Sequence, residues 1–280
     1  MNLLGLLALA VVTSNTPRER LAAADRWAYQ LQGAQLDELI AHPADVLVID
    51  AYKDVKTPWS YAEVAAMRKD KVVLAYLSVG EAEDYRPYWD PAWSKKRPDW
   101  IGRMNPRWKG NYPVQFWRPE WWVIISSALD DVSARGFDGV YLDRVDVFEE
   151  WGPKGKGYHH HAKNAPAMTH FIMSLVNRAR TRRPGFLVVP QNAPTLVPSL
   201  APVVNAWAVE DAFFMDNRPQ PRAYSHWLVT TLEPIRERRL PILSVDYMTR
   251  KPLVARYRAL ATKAKFIPLA APSRELDQLD

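Results

Sequence analysis

Residues 136–143, GFDGVYLD, organise the reading of the whole chain. Upstream, residues 120–135 space their apolar side chains as one face of a helix. Gly136 then stands where a helix commonly stops, because glycine enters the left-handed backbone region without steric cost. Downstream, a short apolar run ends on a carboxylate, Asp143. Helix, glycine, strand and terminal acid together make one half of a β/α unit.

The same pattern recurs on both sides. Strand-like runs are expected at 27–32, 46–51, 72–78, 139–143, 186–191, 204–210, 241–246 and 265–269. Helical patterns fall at 61–68, 120–135, 165–182, 222–238 and 253–263, with Pro184-Gly185 as a second helix stop. The gaps after the first and fifth strands hold one or two turns at most. Eight alternating units in this length imply an α/β fold, a single closed (β/α)8 TIM barrel. A doubly wound open sheet is the alternative, but neither GxGxxG nor GxxxxGK[ST] occurs to support it.

Composition narrows the chemistry. A hydrophobic share of 48% across 280 residues supplies a full core and excludes wholesale disorder. Cysteine is absent, which removes disulfides, thiolate metal sites and cysteine nucleophiles. The net charge of +6 is spread without a dense basic block, so no nucleic-acid partner is expected. Twelve Trp and twelve Tyr either fill the core or line a groove for a ligand with flat apolar faces, such as a sugar. Many of them crowd residues 80–118, a long aromatic-rich insertion after the third strand. That insertion reads either as a wall around a glycan or as a small self-packed core.

Residues 3–12 are almost wholly apolar and lead into Thr13, Ser14 and Asn15. They resemble the centre of a secretory signal and are too short to cross a bilayer. Residues 1–22 are therefore set apart as a leader or disordered N-terminus, 23–280 are the barrel domain, and the product is expected to be secreted or periplasmic. A frayed N-terminus or misassigned start is the other reading. No other stretch nears the length of a membrane span, so stable membrane insertion is not expected.

Four acids close predicted strands: Asp50, Asp143, Glu210 and Asp246. Parallel barrel strands all end on one rim, where the βα loops build active sites. Each acid alone would read as a salt bridge or a helix cap; four at equivalent places weaken that reading. Asp50, Asp143 and Glu210 lie on the second, fourth and sixth strands, and alternate strands feed one side-chain layer. Two close carboxyl groups make a retaining glycosidase, while three make a divalent metal site; the aromatic content favours sugar. Gln30, Tyr76, Ser78 and Asn192 end neighbouring strands, and Tyr141 shares a face with Asp143. His159, His160 and His161 are consecutive in a Gly/Lys-rich segment, so they read as a solvated loop rather than a metal site. No HExxH, Ser-His-Asp or GxSxG arrangement is present.

The segments WAYQLQG, VLVIDAY, AYLSVGEAEDYRPYW, GFDGVYLDRVD, PGFLVVPQNA, VEDAFF and FIPLAAPSRELDQL, taken in order, resemble glycoside hydrolase family 114. These are the endo-α-1,4-polygalactosaminidase-like barrels, found also in bacterial and fungal exopolysaccharide machinery. The resemblance implies a catalytic Asp on the fourth strand, matched by Asp143, and a catalytic Glu on the sixth, matched by Glu210. By similarity to retaining barrels, Asp143 is the nucleophile and Glu210 the acid/base. Gln30, Asp50, Tyr76, Ser78, Glu81, Tyr141, Asn192 and Asp246 are expected to contact the polysaccharide, with no metal and no cofactor. A polymer of free galactosamine is cationic, which sits awkwardly with a basic chain. A non-catalytic glycan-binding barrel and a metal-dependent lyase or hydrolase are the remaining alternatives.

Overall fold

The computed structural model describes residues 16–150 and 161–279. The leader-like residues 3–12, His159 and His160 lie outside the described residues. Twelve strands are described: β1 Trp27–Gln30, β2 Val46–Asp50, β3 Val72–Ser78, β4 Glu81–Glu83, β5 Asn111–Pro113, β6 Gly139–Asp143, β7 Leu187–Pro190, β8 Trp207–Glu210, β9 Phe214–Met215, β10 Arg218–Pro219, β11 Ile242–Tyr247 and β12 Ile267–Ala271. The helices are α1 Pro17–Ala22, α2 Leu36–Ala41, α3 Tyr61–Met67, α4 Pro119–Ala134, α5 His161–Arg182, α6 Val197–Leu200, α7 Arg222–Thr231, α8 Glu233–Glu237 and α9 Lys251–Lys263.

Eight strands are parallel. They form a five-stranded sheet, β1-β2-β3-β6-β7, and a three-stranded sheet, β8-β11-β12. Each pairs with its sequence neighbour among the eight, so the strand order never reverses and no doubly wound switch point exists. Regular ladders stop at two seams. Between β7 and β8 a single bridge, Gln191 to Ala208, is flanked by Asn205 N–H donating to Val188 O at 3.0 Å. Between β12 and β1, the Trp27 indole donates to Ile267 O at 3.0 Å.

Alternation explains which side chains meet. One apolar cluster takes Trp27 and Tyr29, Val46 and Val48, Val72 and Leu74, Tyr141, Leu187 and Val189, Ala208, Leu243 and Val245, and Leu269. Every one of the eight parallel strands contributes, two residues apart, as pleating requires. The intervening residues, among them Leu47, Ile49, Val73, Val140, Val188 and Val209, face outward into the second core beneath the helices. Asp50 continues the inward series of β2, Asp143 that of β6 and Glu210 that of β8. The rim acids therefore follow from strand phase.

Local signals account for several helix ends. Thr16 with Glu19 and Ser60 with Glu63 form reciprocal capping boxes at the starts of α1 and α3. Helix α1 lies within the segment set apart at 1–22, yet its Leu21 is buried in the inner cluster and belongs to the fold. The single helix expected over 222–238 is two, α7 and α8, meeting at Leu232. Pro234 explains the break, since it has no N–H for a continuing helical bond.

Residues 80–118 hold the antiparallel pair β4 and β5 and a one-turn helix at Pro91–Ser94. Tyr112 stacks on Trp89, Trp89 meets Trp93 edge-on, Trp93 meets Trp100, and Trp100 meets Trp121 of α4. Those rings continue the outer core: Trp100, Tyr112 and Trp121 belong to it, and Trp89 and Trp93 pack against it. A different set, including Tyr85, Met104, Arg107 and Trp108, faces the cleft described below. Among the described residues no helix is long and apolar enough to cross a membrane.

Candidate active site

A cleft of about 2600 Å³ opens over the C-terminal ends of the parallel strands. Asp50, Tyr76, Glu81, Asp143, Asn192 and Glu210 all line it. Twelve carboxylate side chains and seven basic ones surround it, a reversal of the chain's overall basic charge.

Asp143 sits half-buried at the cleft floor. The Tyr76 hydroxyl donates to its Oδ2 at 2.8 Å and the Arg144 N–H donates to its Oδ1 at 2.6 Å. Arg144 follows the strand end at φ 58°, a costly conformation for a side chain of that size. Gly80 makes room for it: a Cβ there would stand 2.2 Å from Arg144 O. Burial first, and then the Glu210 charge, push the Asp143 carboxyl up to about 7 against the pull of Arg144.

Glu210 is held from two sides. The Tyr247 hydroxyl donates to Oε1, and Asn192 Nδ2 donates to Oε2 at 3.0 Å. Asn192 Oδ1 also accepts the Glu210 N–H at 3.0 Å, which fixes the orientation of the amide. Asn192 and Asp211 both adopt left-handed φ, of 59° and 52°, so the chain turns sharply just past β7 and β8. Burial raises the Glu210 pKa, with the Tyr247 and Asn192 hydrogen bonds opposing it.

Asp50 and Glu81 line the cleft but are already paired. Arg86 forks onto Asp50, Nη1 to Oδ1 and Nη2 to Oδ2, both at 2.8 Å. Its Nε donates to Glu83, tying the segment after β3 to the rim. With both oxygens taken, Asp50 is unsuited to complete a three-carboxylate metal site. Among the described residues no cluster of three or more His, Asp or Glu is placed to hold a metal ion. Glu81 accepts from Asn105 at 2.8 Å and pairs with Arg144 at 3.2 Å.

Four residues expected to contact sugar lie outside the cleft lining. The inward series of β11 is Leu243, Val245 and Tyr247, so Asp246 is on the opposite phase, and it is fully buried. Its carboxylate instead accepts the N–H groups of Ala212, Phe213 and Phe214 at 2.7–2.9 Å, bracketing the loop after β8. Gln30 is buried and donates to Gln32 O and Asp277 O, holding the C-terminal segment over β1. Tyr141 lies beneath the floor against Tyr29, ring centroids 5.1 Å apart. Ser78 is buried beside the turn at Gly80.

Sequence reasoning missed Tyr247, Arg86, Asp211 and Arg274. Alternation counted from Leu243 would have found Tyr247. Arg86 and Arg274 stand on loops, where no periodicity points to a partner.

The model of glycoside-hydrolase family GH114 matches residues 8–278. The chain belongs to this family. Membership assigns the reaction class, hydrolysis of a glycosidic bond, and a polysaccharide substrate. An uncharacterized protein, MJ1477, of Methanocaldococcus jannaschii is 37% identical over 271 residues, covering 91% of this chain and 78% of that one. One from Thermotoga maritima is 37% identical over 231 residues, covering 80% and 71%. The glycoside hydrolase domain of PelA from Pseudomonas aeruginosa superposes with a TM-score of 0.71 at 21% identity, covering 91% of this chain and 97% of that domain. Aspergillus fumigatus Ega3, in complex with galactosamine, gives 0.71 at 18% identity over 91% and 94%. At such identities the two structures speak to the fold.

Proposed function

We propose that this GH114 member is an endo-acting, retaining glycosidase that cleaves α-1,4-linked galactosamine-type polysaccharide, with Asp143 as nucleophile and Glu210 as acid/base. One observation carries the reading: both carboxyl groups point into one cleft from the strand ends, each gripped by a tyrosine hydroxyl and an amide N–H. In the first step, an Asp143 oxygen bonds to the anomeric carbon as the glycosidic bond breaks and Glu210 protonates the departing oxygen. In the second, Glu210 takes a proton from water, whose oxygen displaces Asp143 and regenerates both groups. The Tyr76 hydroxyl on Oδ2 and the Arg144 N–H on Oδ1 fix the Asp143 carboxyl and favour its anion. Burial raises the proton affinity of both carboxyls, and the Glu210 charge raises that of Asp143 further; in this reading the proton the pair retains rests on Glu210.

The acidic cleft supports a cationic amino sugar over a neutral glycan, and its volume of about 2600 Å³ leaves room for several sugar units, which suits attack within a chain. Exposed rings on the cleft wall, Trp227 beside Tyr224 at 5.8 Å, offer faces for pyranose rings. A closed (β/α)8 barrel underlies the site in this reading, supported by the inner cluster drawn from all eight strands. The insertion over 80–118 would wall the cleft. The apolar leader-like segment and a polymeric substrate support secretion or periplasmic location, and a role in exopolysaccharide turnover.

The test is release of reducing ends from α-1,4-galactosamine polymer, free and N-acetylated. Asp143→Asn and Glu210→Gln are each expected to lower turnover by roughly three orders of magnitude or more with the fold intact by circular dichroism. Full turnover in either variant, or binding of polymer with no new reducing ends in wild type, would remove the assignment.

A further inference from the structure

We propose that Arg274, carried over the cleft by the C-terminal segment, is a positioning residue that holds Glu210 in place and sets the pH at which it ionises, acting through Tyr247 and Asp211. The inference rests on Glu210 as the acid/base named above.

The C-terminal segment has a defined path. Beyond β12, Leu276 O accepts the N–H groups of Leu31 at 2.8 Å and Gln32 at 3.2 Å, and Leu276 itself is buried in the inner cluster. Gln32 Nε2 donates to Glu275 O at 3.0 Å. The backbone on either side of Arg274 is thus anchored, and the guanidinium reaches back across the mouth. There its Nη2 meets both Asp211 oxygens at 2.8 Å and its Nε donates to Asp216 at 3.0 Å. Its carbon stands 4.2 Å from the centroid of the Tyr247 ring. Tyr247 in turn donates to Glu210 Oε1, and Asp211 is the residue after Glu210.

This arrangement joins the ends of β8, β11 and β12 and the β9–β10 turn around one carboxyl group. A planar cation stacked on a tyrosine fixes the ring plane, and with it the direction of the hydroxyl. Its charge also offsets two carboxylates beside Glu210. The charged or titratable groups facing Glu210 are Asp143 and Tyr141 from β6, Tyr247 from β11, Asp211 after β8, Tyr224 from α7 and Arg274; Asn192 is its neutral partner after β7. Asp211 raises the proton affinity of Glu210 and Arg274 lowers it, in keeping with the geometry. Arg107 of the insertion also acts on Asp211.

The test reads Glu210 itself and needs no substrate. The side-chain carboxyl 13C signal of Glu210, assigned by its loss in Glu210→Gln, is followed against pH in the whole protein. Arg274→Met is expected to move its midpoint up by about one pH unit, because Asp211 and Asp216 lose their counter-charge. Asp216→Asn, at an exposed partner, is expected to move it down by a few tenths of a unit. On polymer, the basic limb of kcat/KM should follow the same directions, with kcat falling in Arg274→Met and KM little changed. A purely structural arginine would lower Tm and leave the midpoint where it was. An unmoved midpoint in Asp216→Asn and in any folded Arg274→Met overturns the proposal. Failure of wild type to cut the polymer, with the midpoints still moving, would instead remove the substrate reading and leave the coupling in place.

Discussion

Asp143 joins a chemical asset to a folding liability. Its carboxyl is pushed up to about 7 from an ordinary 3.8, so the folded protein resists the anion that the unfolded chain accepts. A group with a raised folded pKa contributes its stability fully below the unfolded value and loses it as pH rises through the folded one. Asp143→Asn cannot ionise. The variant is therefore expected to be more stable than wild type at pH 8, on the order of 1–3 kcal/mol, with the gain shrinking as pH falls toward 4. Calorimetric melting at both pH values checks this, and a variant no more stable at pH 8 would contradict the buried-charge account. At this scale the sequence was legible where strand phase governed. Asp143 and Glu210 were singled out as acids closing alternate strands, and in the structure each continues an inward series. Asp246 was expected at the cleft as the last residue of its strand, but the inward series of β11 is Leu243, Val245 and Tyr247, so it lies on the other face.

The connections after the strands do most of the positioning. Three residues just past strand ends, Arg144, Asn192 and Asp211, take left-handed φ and leave Asp143 and Glu210 directed into the cleft. The loop after β8 is pinned by Asp246, whose carboxyl burial pushes up to about 7 although three N–H donors pull the other way. Asp246→Ala would leave those three donors buried and unpaired, so it is expected to cost about 3 kcal/mol or more in chemical denaturation. Asp246→Asn, with one acceptor oxygen, should lose less. A loss below about 1 kcal/mol for the alanine variant would mean that the loop finds other partners. Helix caps and the break at Pro234 are local and can be read from neighbouring residues. The Arg86 fork on Asp50 spans 36 residues and cannot.

Across the whole molecule, charge is sorted rather than balanced. The chain carries +6, yet twelve acids against seven bases line the cleft. That distribution dissolves the conflict between a basic protein and a cationic polymer, since distant charges are screened beyond about 8 Å at physiological salt. If the free-amine polymer is the substrate, its kcat/KM is expected to fall several-fold between about 0.05 and 0.5 M salt, as screening weakens the cleft field. The N-acetylated polymer should respond much less. Equal salt dependence for both would argue that the field does not select the substrate. The aromatic residues of 80–118 divide at this scale too. The interior rings pack on each other and on Trp121, while Tyr85 and Trp108 turn to the cleft.

The sequence by itself determined the eight β/α alternations, the family and the two carboxylates proposed here for the reaction, because those depend on hydrophobic period and on residues at strand ends. Tertiary structure alone decided which polar groups reach the cleft, that Arg86 neutralises Asp50, and that Arg274 returns from the C-terminus to Tyr247 and Asp211. Those pairings join loops from distant parts of the chain, and loop contacts leave no periodic trace in sequence. They are set by where the packed strands deliver the loop ends.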